Sequence, residues 1–405
     1  MMTRLIYTIL ALSIGFASIG QTIHQLIGRN TGSKLLFDGN TIRTFGFAQA
    51  FGENPPIPGP TLTFTENDSI SLDFWNISQG APHTIHLHGL DVNQANDGVP
   101  HLSFEVHHNE HGYYRFRAPH PGTYLYHCHV VSSIHVQAGM YGLIVVKPAD
   151  TSMTWTDGYE YQSDVNLMFS EMDTIWHHDS VLLHDYDTSM SHHMIPIPIY
   201  TPQHFLINGL SEQQLVDKVE IHGQANSSIY VRMANIGYLA NRITFPAAVN
   251  AKIIDSDGRP LPTPEVSDVL EIYPGERYGV LLDPGQEYIG TASVEFINLN
   301  TGQVDNQQVL DVNIEGFYGV EDPNRKPLRL VPNPANTEVQ IYVSPKLIGE
   351  QSTIELMNIS GSIVISHNRR LVEANSVNLG QLPAGVYTLL LNTESGAFSQ
   401  RLIIL

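Results

Sequence analysis

Two short stretches concentrate the residues that could bind a metal. One reads His-Thr-Ile-His-Leu-His-Gly and contains His83, His86, His88 and Gly89. The other runs from His127, Cys128 and His129 to His135 and Met140. A thiolate is a soft ligand suited to copper, and two imidazoles with a weak axial Met complete the usual blue-copper set. The second stretch offers Cys128, His135 and Met140, and His83 can supply the other imidazole from a distant strand. Residues 122–126 read as a strand leading into Cys128, and strand side chains alternate between faces. His127 and His129 then share one face while Cys128 takes the other. The same alternation puts His86 and His88 together. Four imidazoles from two His-x-His pairs would converge on one face, for which packing gives no reason. Zinc is the competing metal, but one Cys among imidazoles with a Met does not match a closed structural zinc site.

The elements that must position these residues read as β. Runs of Val, Ile, Thr, Tyr and Phe alternate with Gly, Pro, Asn and Asp at short spacing, as at 61–65, 69–74, 122–126 and 143–146. Long runs of helical period are scarce, which fits stacked sandwiches. With 405 residues the chain is long enough for two or three domains with separate cores. Three parts are expected: 33–150, ending at Lys147-Pro148-Ala149-Asp150; 160–318; and 328–405, after a linker at 319–327.

Residues 1–20 read as a signal peptide, with Arg4 before an apolar run too short for a transmembrane helix. Acidic residues outnumber basic ones 40 to 20, so no nucleic-acid partner is expected. The acidity lies outside the C-terminal part and serves solubility first. The single cysteine cannot form an intramolecular disulfide. A lone thiol in an exported chain is a liability unless something such as a metal occupies it.

In its histidine stretches the sequence resembles the multicopper oxidases, in particular the two-domain, nitrite-reductase-like and laccase-like branch. Pro58-Gly59-Pro60-Thr61, Asp97-Gly98-Val99-Pro100 and Pro121-Gly122-Thr123-Tyr124 agree with it. The resemblance implies an all-β fold of two cupredoxin-like Greek-key sandwiches. It implies type 1 copper on His83, Cys128, His135 and Met140. It makes His86 a type 2 ligand and His88, His127 and His129 type 3 ligands, so that these four serve catalysis. The C-terminal part resembles the sorting domain of the type IX secretion system. Pro332-Asn333-Pro334-Ala335 opens it, Gly385-Val386-Tyr387 follows Leu382-Pro383-Ala384, and 402–405 closes it. This implies a small β-sandwich, handling by the type IX machinery, and release to the medium or the cell surface.

One departure stands out. In the family the second domain supplies four further histidines. Its resemblance is visible at His204-Phe205-Leu206-Ile207-Asn208-Gly209, at 231–238 and at 274–278, but Asn241, Thr244 and Pro246 stand where histidines would, and 290–299 holds none. A symmetric homodimer could bring two first domains together and supply eight ligands. The expected function is one-electron oxidation of a small-molecule or metal-ion donor, with oxygen reduced at the histidine cluster. The alternatives are a non-enzymatic copper-binding or electron-transfer protein and a nitrite-reductase-like enzyme. Retention of His129 favours oxygen chemistry over the last.

Two further clusters remain. Met172, His177, His178, His184, Met190, His192, His193, Met194 and His204 read as a Met/His-rich loop with copper-binding residue types, or as a solvated polar loop. His101, His107, His108, His111 and His120 read as a solvated rim.

Overall fold

In the computed structural model the described residues are 22–182, 197–216, 218–316, 328–333, 335–343, 347–358, 361–372, 374–380 and 382–404. The expected signal peptide and linker, and His184, Met190, His192, His193 and Met194, lie outside them. The chain divides into two compact units, Met1–Phe317 and Tyr318–Leu405.

The first sandwich is built from β1 (Thr22–Leu35), β2 (Thr41–Ala48), β3 (Gly59–Thr65), β4 (Ser69–Asn76), β5 (His86–His88), β6 (Glu110–Arg117), β7 (Gly122–His127) and β8 (Tyr141–Lys147), with one short helix, α1 (Ser132–Ala138). One sheet runs β2-β1-β4-β6 and the other β3-β8-β7-β5. β1 pairs with β4 from Thr22 onward, ahead of the expected domain start near residue 33. Its beginning, Thr-Ile-His-Gln-Leu, lacks the turn residues that would separate it from the apolar leader.

β7 is buried along its whole length, and its alternation explains the site. Tyr124 and Tyr126 point into the core of the first sandwich, beside Leu87, Ile144 and Val146. Leu125 points the other way, into an apolar layer with Leu143, Val145, Met168, Met172, Leu206 and Ile236. That layer joins the first sandwich to the second. Full burial of one such aliphatic side chain contributes about 1.5–3 kcal/mol.

The second sandwich has a six-stranded sheet ordered His204–Ile207, Ser163–Met172, Ile229–Asn235, Arg277–Leu282, Ala251–Ser256 and Arg259–Val266. Its five-stranded partner is ordered Glu220–Gln224, Val304–Glu315, Tyr288–Ile297, Ala240–Thr244 and Val269–Ile272. Ser163–Met172 is called β9 and His204–Ile207 β10 below. The C-terminal unit packs a three-stranded sheet (Leu328–Val331, Glu338–Val343, Ala374–Asn378) and a four-stranded one (Ile363–Arg370, Gln351–Asn358, Gly385–Thr393, Gly396–Ile404) around a core that includes Val339, Ile341, Leu389 and Leu402. No described helix is long and apolar enough to cross a membrane.

Candidate metal centre

Cys128 follows the last residue of β7 and keeps the inward side of its alternation, among the core side chains of the first sandwich. Its Sγ lies 3.4 Å from His135 Nδ1 and 3.6 Å from His83 Nδ1. The three residues are at most 2% exposed, and Met140 is fully buried in the same core. Main-chain hydrogen bonds knit the set together. Cys128 N–H donates to the Met140 carbonyl at 3.0 Å, and Met140 N–H to the His135 carbonyl at 2.9 Å. His83 is held by a bridge to Val106, and His135 by its place in α1. The Phe45 ring packs on both imidazoles. Burial alone would push the thiol up, but His135 and then His83 outweigh it and bring Cys128 down to about 5. The structure thus favours the thiolate, the form that binds metal.

His127 takes the outward side. Across the ladder it stands opposite His86, while His88 stands opposite Leu125. A ligand atom from each of His86, His88 and His127 lies within 4.8 Å of the others. His88 Nδ1 is 3.3 Å from His127 Nε2. His129 adjoins the trio, its ring 5.3 Å from that of His86 and 5.9 Å from that of His127. All eight residues expected from sequence are therefore gathered into two adjacent groups, with His129 at the margin of the second.

The imidazoles are oriented by acceptors that sequence reading did not assign. His86 Nδ1–H donates to the Asp97 carbonyl at 2.8 Å, and His127 Nδ1–H to the Cys128 carbonyl at 3.0 Å, so each presents Nε2. Burial lowers the basicity of His86, brings His88 to about 4 with help from the Arg277 charge, and brings His127 to about 3. These rings are neutral near pH 7, with lone pairs available to a metal.

One flank of the cluster is closed by the second sandwich of the same chain. The Gly275 carbonyl hydrogen-bonds the His88 ring, and a Cβ on Gly275 would lie 3.3 Å from His88 Cε1. Arg277, 4% exposed, reaches the carbonyls of Gly275 at 2.6 Å and Thr123 at 3.4 Å and pairs with Asp257 at 2.8 Å. Gly89 must be glycine here: its φ is +86°, and a Cβ would fall 2.2 Å from the Arg277 guanidinium. The segment Pro274-Gly275-Glu276-Arg277 carried no metal-ligand signal, because its role depends on contact between sandwiches.

The second sandwich contributes no comparable donor face among the described residues. Asn241 is fully buried, and neither atom of its amide meets a hydrogen-bond partner. His101, His107, His108, His111 and His120 are exposed, as expected of a rim. His111 is stacked on Trp75 and bonded to Asp73 at 2.8 Å. Met172, His177 and His204 are not part of an open loop. All three are buried in ordered elements.

Family models described as multicopper oxidase match residues 40–151 and 168–312, and one for a secretion system C-terminal sorting domain matches 329–405. An L-ascorbate oxidase from Cucumis sativus is 27% identical over 258 residues, covering 58% of this chain and 42% of that protein. The chain thus spans less than half the length of such relatives. A laccase 1 from Metarhizium acridum is 32% identical over 119 residues, 28% of this chain and 19% of its own length. The blue copper oxidase from Nitrosomonas europaea superposes with a TM-score of 0.57 at 24% identity, over 75% of this chain and 88% of that one, a likeness of fold.

Proposed function

Since the chain belongs to the multicopper oxidase family and ends in a secretion-system sorting domain, we propose that it is an exported copper-dependent oxidase, taking electrons singly from a small donor and delivering them to oxygen. One observation carries this reading: Cys128 and His127, adjacent in the chain, belong to two donor sets on opposite faces of one strand end. A protein that only shuttled electrons would need the Cys128 set alone.

The residues present fit copper. A soft thiolate with two imidazoles and a neighbouring thioether suits a blue site, and neutral imidazoles suit the others. Copper bound there supplies one-electron redox chemistry. His83, Cys128, His135 and Met140 would hold the type 1 ion. His86 would hold type 2, and His88, His127 and His129 type 3. The chain's own part is to exclude water from the Cys128 set, to keep the His86 and His127 protons on Nδ1, and to join the sets through a single peptide unit.

Among the described residues the second sandwich offers no second four-histidine face, so a second copy of the chain supplies the missing four in this reading. Because Gly275 and Arg277 cover His88, the second copy approaches from the side of His86 and His129. Export uses the leader at 1–20 and type IX passage through the outer membrane. A chain lacking 328–405 should then stay inside the cell envelope, as fractionation would reveal.

The deciding experiment is copper content per protomer, with oligomeric mass and visible and spin-resonance spectra. A dimer with about 2.5 coppers per chain supports a shared cluster and an oxidase. One blue copper per monomer overturns it in favour of an electron-transfer or copper-binding protein, the reading that Asn241, Thr244 and Pro246 favour.

A further inference from the structure

β9 and β10 pair antiparallel with Met172 directly opposite His204. Opposed residues in such a ladder hold their Cβ atoms about 4.5–5.5 Å apart on one face. That face turns toward the first sandwich, since Met172 and Leu206 share an apolar layer with Leu36 and Val136. His177 follows in the short 3-10 turn Thr174–His177. Met172 is fully buried, and His177 and His204 are each 4% exposed.

The His177 imidazole is tethered on one side, and each of the two imidazoles is bare on the other. His177 Nδ1–H donates to the Arg43 carbonyl at 2.7 Å. His204 Nε2 faces Asp38 Oδ2 at 3.9 Å. The remaining nitrogens, His177 Nε2 and His204 Nδ1, are buried and meet no hydrogen-bond partner. Polar atoms are seldom buried bare, so two in one neighbourhood call for a ligand. For His177 an outer acceptor fixes the tautomer while the other nitrogen waits, which is how metal-binding histidines are held. Burial, reinforced by His204 and His178, brings His177 down to about 4. The ring is therefore neutral and its lone pair available.

We propose that Met172, His177 and His204 form an additional copper site, selective for Cu(I), at the seam between the two sandwiches. Two imidazoles and a thioether are a soft set that suits Cu(I) better than hard divalent ions. The Arg43 carbonyl that holds His177 and the Asp38 carboxylate that faces His204 come from the first sandwich, while β9, the turn and β10 belong to the second. The site therefore exists only when the two are packed together. It shares no residue with the Cys128 set or the four-histidine face.

The test is an anaerobic Cu(I) titration of the metal-free full-length protein against a chromogenic cuprous chelator, comparing wild type with Met172→Leu and His204→Gln. One equivalent of tightly held Cu(I) should disappear in each variant, while the blue absorption after copper loading stays unchanged. An unaltered Cu(I) count in both overturns the site. Met172→Leu is close to volume-conserving and tolerated in cores, so it decides alone if His204→Gln does not fold. Its Cu(I) affinity should fall at least tenfold, and an undiminished affinity overturns the proposal. Zinc bound to the same residues as tightly as Cu(I) would overturn the selectivity for a soft ion.

Discussion

Cys128 and His127 share a peptide bond yet face opposite ways: the thiol lies 3.4 Å from His135 Nδ1 in the core, and the imidazole lies 3.3 Å from His88 Nδ1 at the junction of the sandwiches. The relationship follows from β7, whose inward residues Tyr124 and Tyr126 and outward residue Leu125 are all buried. The Cys128 face of the strand end is thus dry and the histidine face partly exposed, and the two donor sets are separated by backbone alone.

Replacing Cys128 with Ser should abolish the blue absorption of the copper-loaded protein, because the hydroxyl is neither soft nor ionised. Far-UV circular dichroism should stay the same, since the volume change is small. Retained colour sinks the assignment of Cys128 as the type 1 ligand.

His86→Ala separates the two sets. Its imidazole belongs to the outward face, so the blue band should persist while oxygen uptake with any donor falls to background. Unchanged oxygen uptake would refute a role for that face.

Gly98→Ala tests the orientation of His86. Gly98 has φ +79°, and a Cβ there would sit 1.9 Å from the Ile85 carbonyl oxygen and 2.8 Å from His86 Cα. The left-handed backbone alone should cost about 1–2 kcal/mol, and the neighbouring Asp97 carbonyl should lose its hold on the His86 Nδ1 proton. Loss of such an outer acceptor typically weakens metal binding about 10–100-fold. Thermal unfolding and the spin-resonance signal of the non-blue copper should both change; a variant matching wild type in both contradicts the orienting role.

Glu171 predicts a pH dependence. It is 2% exposed, with Oε1 accepting from the Tyr238 and Leu239 amides and the Tyr200 hydroxyl. Burial nevertheless pushes its carboxyl up to about 7 from an ordinary 4.5. Below pH 4.5 the acid is protonated in both folded and unfolded chains. Between 4.5 and 7 the unfolded chain ionises first, so this group's contribution to stability is lost as pH rises through 7. The loss is on the order of 3 kcal/mol when complete. Glu171→Gln keeps an acceptor oxygen and should remove this part of the slope. Urea midpoints at pH 5 and pH 8 check it: equal slopes in wild type and variant would show that Glu171 does not control it.

Much of the site is legible in the sequence. The order of Cys128, His135 and Met140, the two His-x-His pairs and the period of 2 in a strand depend only on neighbours in the chain. So does the β character of the whole, since apolar runs and turn residues are local signals. The start of the first sandwich was not legible, because β1 is defined by its pairing with β4, and nothing within the run from Thr22 marks it as a strand.

The sequence by itself determined which donors exist, which metal they suit, and that the second sandwich lacks the family's histidines. Tertiary structure decided what surrounds them. It placed Arg277 and Gly275 over His88, Asp97 under His86, and His129 beside rather than within the closest trio. It also turned part of an apparent Met/His loop into buried Met172, His177 and His204. The physical reason is that a donor's type is a property of one residue. Its burial, tautomer and unpaired nitrogen depend on residues far away in the chain, which only packing of the two sandwiches brings near.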